Sequence, residues 1–249
     1  MDRAAYLDRI DYRGSIEPTA DTLRALHRAQ LLSVPFENLD IHLARPIRLD
    51  EEALSEKIVR RRRGGFCYEL NGLFAGLLRG LGFRVILLNA LIPETHNGCG
   101  MAIDHPILLV ELAERWIVDV GFGDAYRLPL ILDKRGEQTG TGATYRLSPD
   151  GEGAWKFWEL ENGVWEFHYA FTLHPCRLTD FEEACQYYET SPKSSFTQKR
   201  ICSRATPDGH ISLTDDRLIT VRNGQEEERR LANEDDFAQS LKESFGITL

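Results

Sequence analysis

Apolar residues along this chain recur first at helical spacing and then, from about residue 83, at strand spacing. In TADTLRALHRAQLL (19–32), Leu23, Leu26 and Leu31 fall near one face, Thr19 or Asp21 can cap the start, and Pro35 ends the run. DEEALSEKIVR predicts a second helix after Asp50, acidic in its first turn and basic in its last. A third is predicted from Cys67, where Leu70, Leu73, Phe74, Leu77, Leu78 and Leu81 repeat at i, i+3, i+4, i+7, i+8 and i+11. Gly72 and Gly76 lower its intrinsic helicity, so close packing is expected there.

FRVILLNALI, HPILLVEL and RWIVDVGF are short apolar runs whose length and β-branched content predict strands. WKFWELENGVWEFHYAF turns at Asn162-Gly163, with Trp165, Phe167, Tyr169 and Phe171 alternating on the outgoing arm, and RLITVRNGQEEERRL turns at Asn223-Gly224. Asn-Gly accepts the positive φ of a tight hairpin turn. NEDDFAQSLKESFGI predicts a final helix capped by Asn233 or Asp235. TGTGAT (139–144) lacks the Lys-Ser/Thr ending of a phosphate-cradling loop and reads as a flexible loop or strand edge. Helices, then antiparallel strands, then a small mixed end define an α+β chain.

The 249 residues carry a net charge of −9, which argues against a nucleic-acid binder working by phosphate neutralisation. No run approaches the roughly 18 apolar residues of a membrane span, and the first residues lack a signal-type apolar core. Five cysteines, 67, 99, 176, 185 and 202, are odd in number and irregularly spaced, which suits reduced thiols in the cytoplasm. Oligomeric state is not written in any of these patterns.

RRRGGFCYELNGLF (61–74) sets Cys67 between two glycines and a helix start. Unpaired amides and the macrodipole at a helix N-terminus stabilise a thiolate, and the same amides can hold an oxyanion. Gly64 and Gly65 allow close backbone approach. From position alone, a nucleophile and a small buried apolar residue both remain open for Cys67. A nucleophile needs a base and a group to orient it. Among seven histidines, His105 opens a strand, and the next strand holds Asp119 between Val118 and Val120. An acid flanked by such residues must be paired if buried. His105 and Asp119 could face each other across the ladder.

RGGFCYELNGLF, PFENLDI (35–41) and VDVGFG (118–123), in this order and spacing, resemble the arylamine N-acetyltransferase family. The resemblance runs from YLDRIDYRG to SPKSSFTQKRI, nearly the whole chain. It implies an N-terminal helical bundle (1–83) carrying the nucleophile, a central antiparallel β-barrel (84–190) carrying His and Asp, and a C-terminal α/β lid (191–249). It further implies a thiol-protease-like triad with Cys67 as nucleophile, His105 as base and Asp119 as orienter, supported by an Arg63–Glu37 ion pair. Gln30 stands where many relatives carry histidine, and a short tail leaves donor and amine preference unread. The implied reaction moves acetyl from acetyl-CoA, a substrate, to an arylamine or arylhydrazine by a ping-pong route. A related amide synthase, a thiol hydrolase or transglutaminase-like enzyme, and a non-catalytic ligand-binding module are the alternatives.

Phe36, Phe66, Phe122 and Gly123 lie in or beside the motifs and could line an aromatic pocket, although ordinary core packing would place the rings equally well. Lys193, Lys199, Arg200 and Arg204 form a basic cluster that would suit CoA phosphates or a solvated face. Of Arg60 to Arg63, only Arg63 is expected to be more than a surface charge. His96 and Cys99 lack a second ligand pair at zinc spacing, so no metal site is expected.

Overall fold

The computed structural model describes residues 1–93, 100–123, 127–140, 142–151 and 153–249. The first segment holds α1 (Arg3–Arg9), α2 (Ala20–Ser33), the two-residue β1 (Phe36–Glu37), α3 (Leu39–His42), α4 (Glu51–Leu54) and α5 (Cys67–Gly80). Thr19 caps α2, accepting from the Thr22 amide, and Asp50 caps α4, accepting from Ala53. From Ser55 to Arg60 the chain widens into π-type turns instead of continuing as the expected α-helix, with Arg61 N bonding Glu56 O.

Helix α5 is buried nearly all round, not on one stripe alone. Its leucines pack into the core as their spacing predicts, while Glu69 and Asn71 are buried on its remaining surface. Of Gly72 and Gly76, Gly72 is the one in tight contact, since a Cβ there would stand 2.8 Å from a Leu178 methyl.

Next come β2 (Arg84–Leu91), β3 (His105–Glu111), β4 (Arg115–Val118), β5 (Leu130–Ile131), β6 (Gln138–Gly140), β7 (Ala143–Pro149), β8 (Ala154–Glu161) and β9 (Val164–Cys176). They form an eight-stranded, nearly closed barrel in the order β5-β4-β3-β2-β9-β8-β7-β6. TGTGAT contributes to the edge strand β6 and the start of β7. Across the seam between the two ends, the Gln138 side chain accepts from Ile131 N (2.8 Å) and donates to Ile131 O (2.9 Å), standing in for a peptide unit. Strand β3 is buried on both faces, which accounts for its unbroken apolar run. Ile107 and Leu109 point into the barrel, while Leu108 and Val110 join the helical core around α5.

Asn162 and Gly163 turn the β8–β9 hairpin with φ of 50° and 82°. A bulge at His168 then shifts the register, from Phe157 opposite Tyr169 to Trp158 opposite Phe167. Tyr169 and Phe171 are therefore buried, and Trp165 and Phe167 stay half-buried. A single 3₁₀ turn (Leu178–Phe181) and α6 (Glu182–Thr190) follow, a helical pair that the sequence pattern does not predict.

The remainder is α7 (Ser195–Gln198), β10 (Ile201–Thr206), β11 (Gly209–Thr214), β12 (Arg217–Arg222), β13 (Gln225–Arg230) and α8 (Glu234–Phe245), capped by Asn233. The second hairpin turns at Asn223 and Gly224, both at positive φ. Its sheet runs β1-β10-β11-β12-β13, so Phe36 and Glu37, from the first segment, form an edge strand against Ser203 and Cys202. Phe237, Leu241 and Phe245 of α8 pack on Cys202 and Leu213. Among the described residues no helix is long and apolar enough to cross a membrane.

Candidate active site

Cys67 is the first residue of α5 and only 7 % exposed. The segment before it is pinned by backbone pairing: Glu37 N donates to Gly65 O (2.9 Å) and Gly65 N to Pro35 O (3.4 Å). Gly64 is required by this approach, because any Cβ there would collide with the Pro35 carbonyl oxygen. Glu69 accepts from Phe66 N (3.1 Å), capping α5. The first intrahelical bonds come from Glu69 N and Leu70 N, so the Cys67 and Tyr68 amides lie in the turn whose N–H groups have no helical acceptor.

Behind this loop lies a buried cluster of charges. Arg63 meets Glu37 at 2.8 Å and Asp40 at 3.1 Å, and Lys57 meets Asp40 and Glu69 at 2.8 Å each. Arg63 is buried while Arg60, Arg61 and Arg62 are exposed. Burial lifts Glu69 to about 6, against the pull of Lys57, whereas Lys57 and Arg63 hold Asp40 below the usual carboxylate range despite its burial.

The second wall comes from the barrel. His105 Nε2 lies 2.7 Å from Asp119 Oδ2, and both residues are buried. They do not sit opposite each other across a ladder. The last β3–β4 pair is Leu108 with Val118, so the two meet diagonally beyond the ladder's end, on one face. Asp119 Oδ1 accepts from Asn71 Nδ2 and from Gly121 N, both at 2.8 Å. Asn71, one turn along α5 from Cys67, also accepts from Val120 N (2.9 Å) and donates to Pro106 O (2.8 Å). One side chain thus locks the helix that begins with Cys67 to β3 and to the segment just after β4. His27 Nε2 lies 3.0 Å from the Asp119 carbonyl oxygen, and burial lowers this imidazole to about 4. A Cβ on Gly121 would come within 2.7 Å of Cys67 Cα, so only glycine permits the strand end to close on the helix start.

Cys67 and His105 line one cavity of about 250 Å³, together with Phe36, Ile92, Asp104, Gly121, Phe122, Gly123, Tyr188, Ser195, Phe196, Lys199 and Ile201. Phe66 is not among these residues; its buried ring packs edge-on against Tyr68 and Phe196. Phe122 stands edge-on to the His105 ring at 5.3 Å. Of the basic cluster, only Lys199 reaches the cavity. Arg200 is engaged by Asp215 and Glu234, and Arg204 by the carbonyls of Leu32 and Ser244. Asn71, Asp104, Tyr188 and Phe196 are additions that apolar periodicity could not supply. Asn71 alone left a signal, an amide inside an otherwise leucine-rich helix one turn from the cysteine.

Burial, with the charges of Asp104 and Asp119, pushes the Cys67 thiol well above its ordinary range, against the Tyr68 backbone N–H, which pulls it down. The helix terminus taken alone favours the thiolate, and burial opposes it. Among the described residues one trio of metal-ligating groups comes together, Glu159, Glu161 and His168, on the β8–β9 hairpin and outside the cavity lining. His96 and Cys99 lie outside the described residues.

An eight-stranded, nearly closed barrel thus meets a helix that begins with a cavity-lining cysteine, and comparison with known proteins gives this arrangement a family. The sequence pattern of the N-acetyltransferase family matches residues 19–249. The chain is 35 % identical to the pineal gland isozyme of arylamine N-acetyltransferase from Gallus gallus, covering 100 % of this chain and 95 % of that one. It is 36 % identical to the arylamine N-acetyltransferase of Escherichia coli K12, over 97 % and 87 %. The solved structure of the Salmonella typhimurium enzyme superposes with a TM-score of 0.91 at 34 % identity, covering 98 % of this chain and 90 % of the other. That of Mycobacterium marinum arylamine N-acetyltransferase in complex with CoA gives 0.90 at 32 %, over 99 % and 93 %. The chain belongs to the arylamine N-acetyltransferase family of acyltransferases.

Proposed function

We propose that the protein transfers acetyl from acetyl-CoA to the nitrogen of an arylamine or arylhydrazine through an acetyl-Cys67 intermediate. The observation that carries this reading is that Cys67 and His105 line one cavity, while Asn71, one turn from Cys67, bonds the Asp119 carboxylate that engages His105. With Nε2 engaged by Asp119, Nδ1 is the imidazole nitrogen left to take the thiol proton. A lone thiolate is disfavoured in this buried site, but a thiolate formed with the imidazolium is a pair of opposite charges and avoids that cost.

Sγ attacks the thioester carbonyl, and amides at the start of α5 hold the oxyanion. The C–S bond to CoA breaks, the imidazolium returns its proton to the departing thiolate, and acetyl stays on Cys67. The amine then attacks this carbonyl, His105 takes the N–H proton, and the proton passes to the Cys67 sulfur as it leaves. Asp119 fixes the imidazole tautomer. Exposed Lys199 at the cavity supports entry of the phosphate-bearing donor from that side. No disulfide joins the described cysteines, in keeping with a reducing compartment such as the cytoplasm.

Incubation with acetyl-CoA and peptide mapping by mass spectrometry tests the reading. An acetyl group on Cys67 that an arylamine discharges is the expected result. Acetylation elsewhere, or an adduct that only water removes, would sink it.

A further inference from the structure

The cavity wall contains a carboxylate that the acyl-transfer scheme does not use. Asp104 is 2 % exposed and lines the same space as Cys67. It is held by partners from three directions: Tyr188 Oη donates to Oδ1 (2.8 Å), Ile92 N to Oδ2 (3.1 Å), and Asp104 N donates to Asn89 Oδ1 (2.8 Å). Its carbonyl accepts from Tyr68 Oη. Tyr188 and Ile92 themselves line the cavity, so the carboxylate stands in its wall and not behind it.

A negative group here works against the first half of the reaction, because it opposes a thiolate at Cys67. In the second half the sign of the charge reverses. An amine attacking the acetyl-cysteine develops positive charge on nitrogen, and a fixed carboxylate stabilises that charge. Among the described residues, the other ionisable side chains lining this space are Cys67, Tyr188, His105, which is engaged by Asp119, and the exposed Lys199. Among the described residues lining the cavity, Asp104 is therefore the buried carboxylate.

We propose that Asp104, held by Tyr188, selects the acceptor by charge. It favours aromatic amines and hydrazines that bring a positive charge or additional N–H donors into the cavity, and it excludes aromatic carboxylates. This inference rests on the acetyl-transfer reading for its substrates but not for its test of cavity charge.

Two measurements separate the two ideas. In the first, wild-type protein and Asp104→Asn are loaded with acetyl-CoA and discharged by 4-(aminomethyl)aniline, 4-methylaniline and 4-aminophenylacetate, whose charges are positive, neutral and negative. The cation-to-anion ratio of kcat/KM is expected to fall about tenfold in Asp104→Asn, mainly by gain for the anion. In the second, Cys67 is modified by 2-ammonioethyl and 2-sulfonatoethyl methanethiosulfonate, which requires no acetyl transfer. The rate ratio is expected to fall in the same direction. Tyr188→Phe, which keeps the charge but removes one of its donors, gives a smaller shift of both ratios and serves if Asp104→Asn does not fold. Unchanged ratios in folded variants overturn the assignment of Asp104. Failure of the wild-type protein to load acetyl, with the reagent ratio still shifting, overturns the transferase reading and leaves the charged cavity wall standing.

Discussion

Behind Cys67 the chain buries a cluster of charges, whereas beside it a chain of hydrogen bonds is laid across three elements. In the cluster each cation meets two carboxylates: Arg63 has Glu37 and Asp40, and Lys57 has Asp40 and Glu69. In the chain, Asp119 Oδ2 serves His105 while Oδ1 serves Asn71 and Gly121. The first arrangement holds a loop in place. The second fixes which nitrogen of one imidazole carries a proton, a task that charge alone cannot perform.

Substituting the chain should therefore remove chemistry, and substituting the cluster should remove stability. The largest effect expected is from Asp119→Asn, whose amide turns the imidazole toward the wrong tautomer: kcat should fall on the order of 10⁴-fold while the melting temperature stays near wild type. Steady-state rates beside a thermal melt check both halves. Arg63→Met leaves Glu37 buried without its cation and should destabilise by about 3–5 kcal/mol in urea, with kcat per folded molecule within about tenfold of wild type. If Arg63→Met proved stable but inactive, the division of labour drawn here would be wrong.

Acid sharpens the contrast, because the two networks carry titrations of opposite sign. His27, lowered by burial from 6.5 to about 4, stays neutral in the folded state while the unfolded chain takes up a proton. Its contribution to stability is present above 6.5 and is lost as the pH falls toward 4, about 3 kcal/mol in all. His27→Gln should flatten that slope in denaturant titrations across this window. Glu69, raised by burial from 4.5 to about 6, binds its proton more readily when folded, so its contribution is lost as the pH rises through the same region. Glu69→Gln should remove about 2 kcal/mol of this opposing dependence between pH 4.5 and 6, the smallest of these effects.

Local signals account for what could be read in advance. Thr19, Asp50 and Asn233 announced their helices by capping chemistry, and both Asn-Gly turns form where positive φ is needed. Asp119 stood out because an acid between valines needs a partner. What stayed hidden depends on residues far apart in the chain. Glu69 and Asn71 occupy positions on α5 that apolar spacing assigns to solvent, and they are buried because strands from the barrel and the π-type segment close over them. The bulge at His168 depends on pairing with β8, and no pattern along β9 alone reveals it. Asp104 reads as an ordinary polar residue before a strand until Tyr188, 84 residues later, returns to it.

The Gln138 amide that joins β5 to β6 gives the barrel a fastener where a ladder would have made a weld. Opening it breaks two bonds at one residue, so the Ile131 backbone proton should exchange with deuterium ahead of those in β3 or β4.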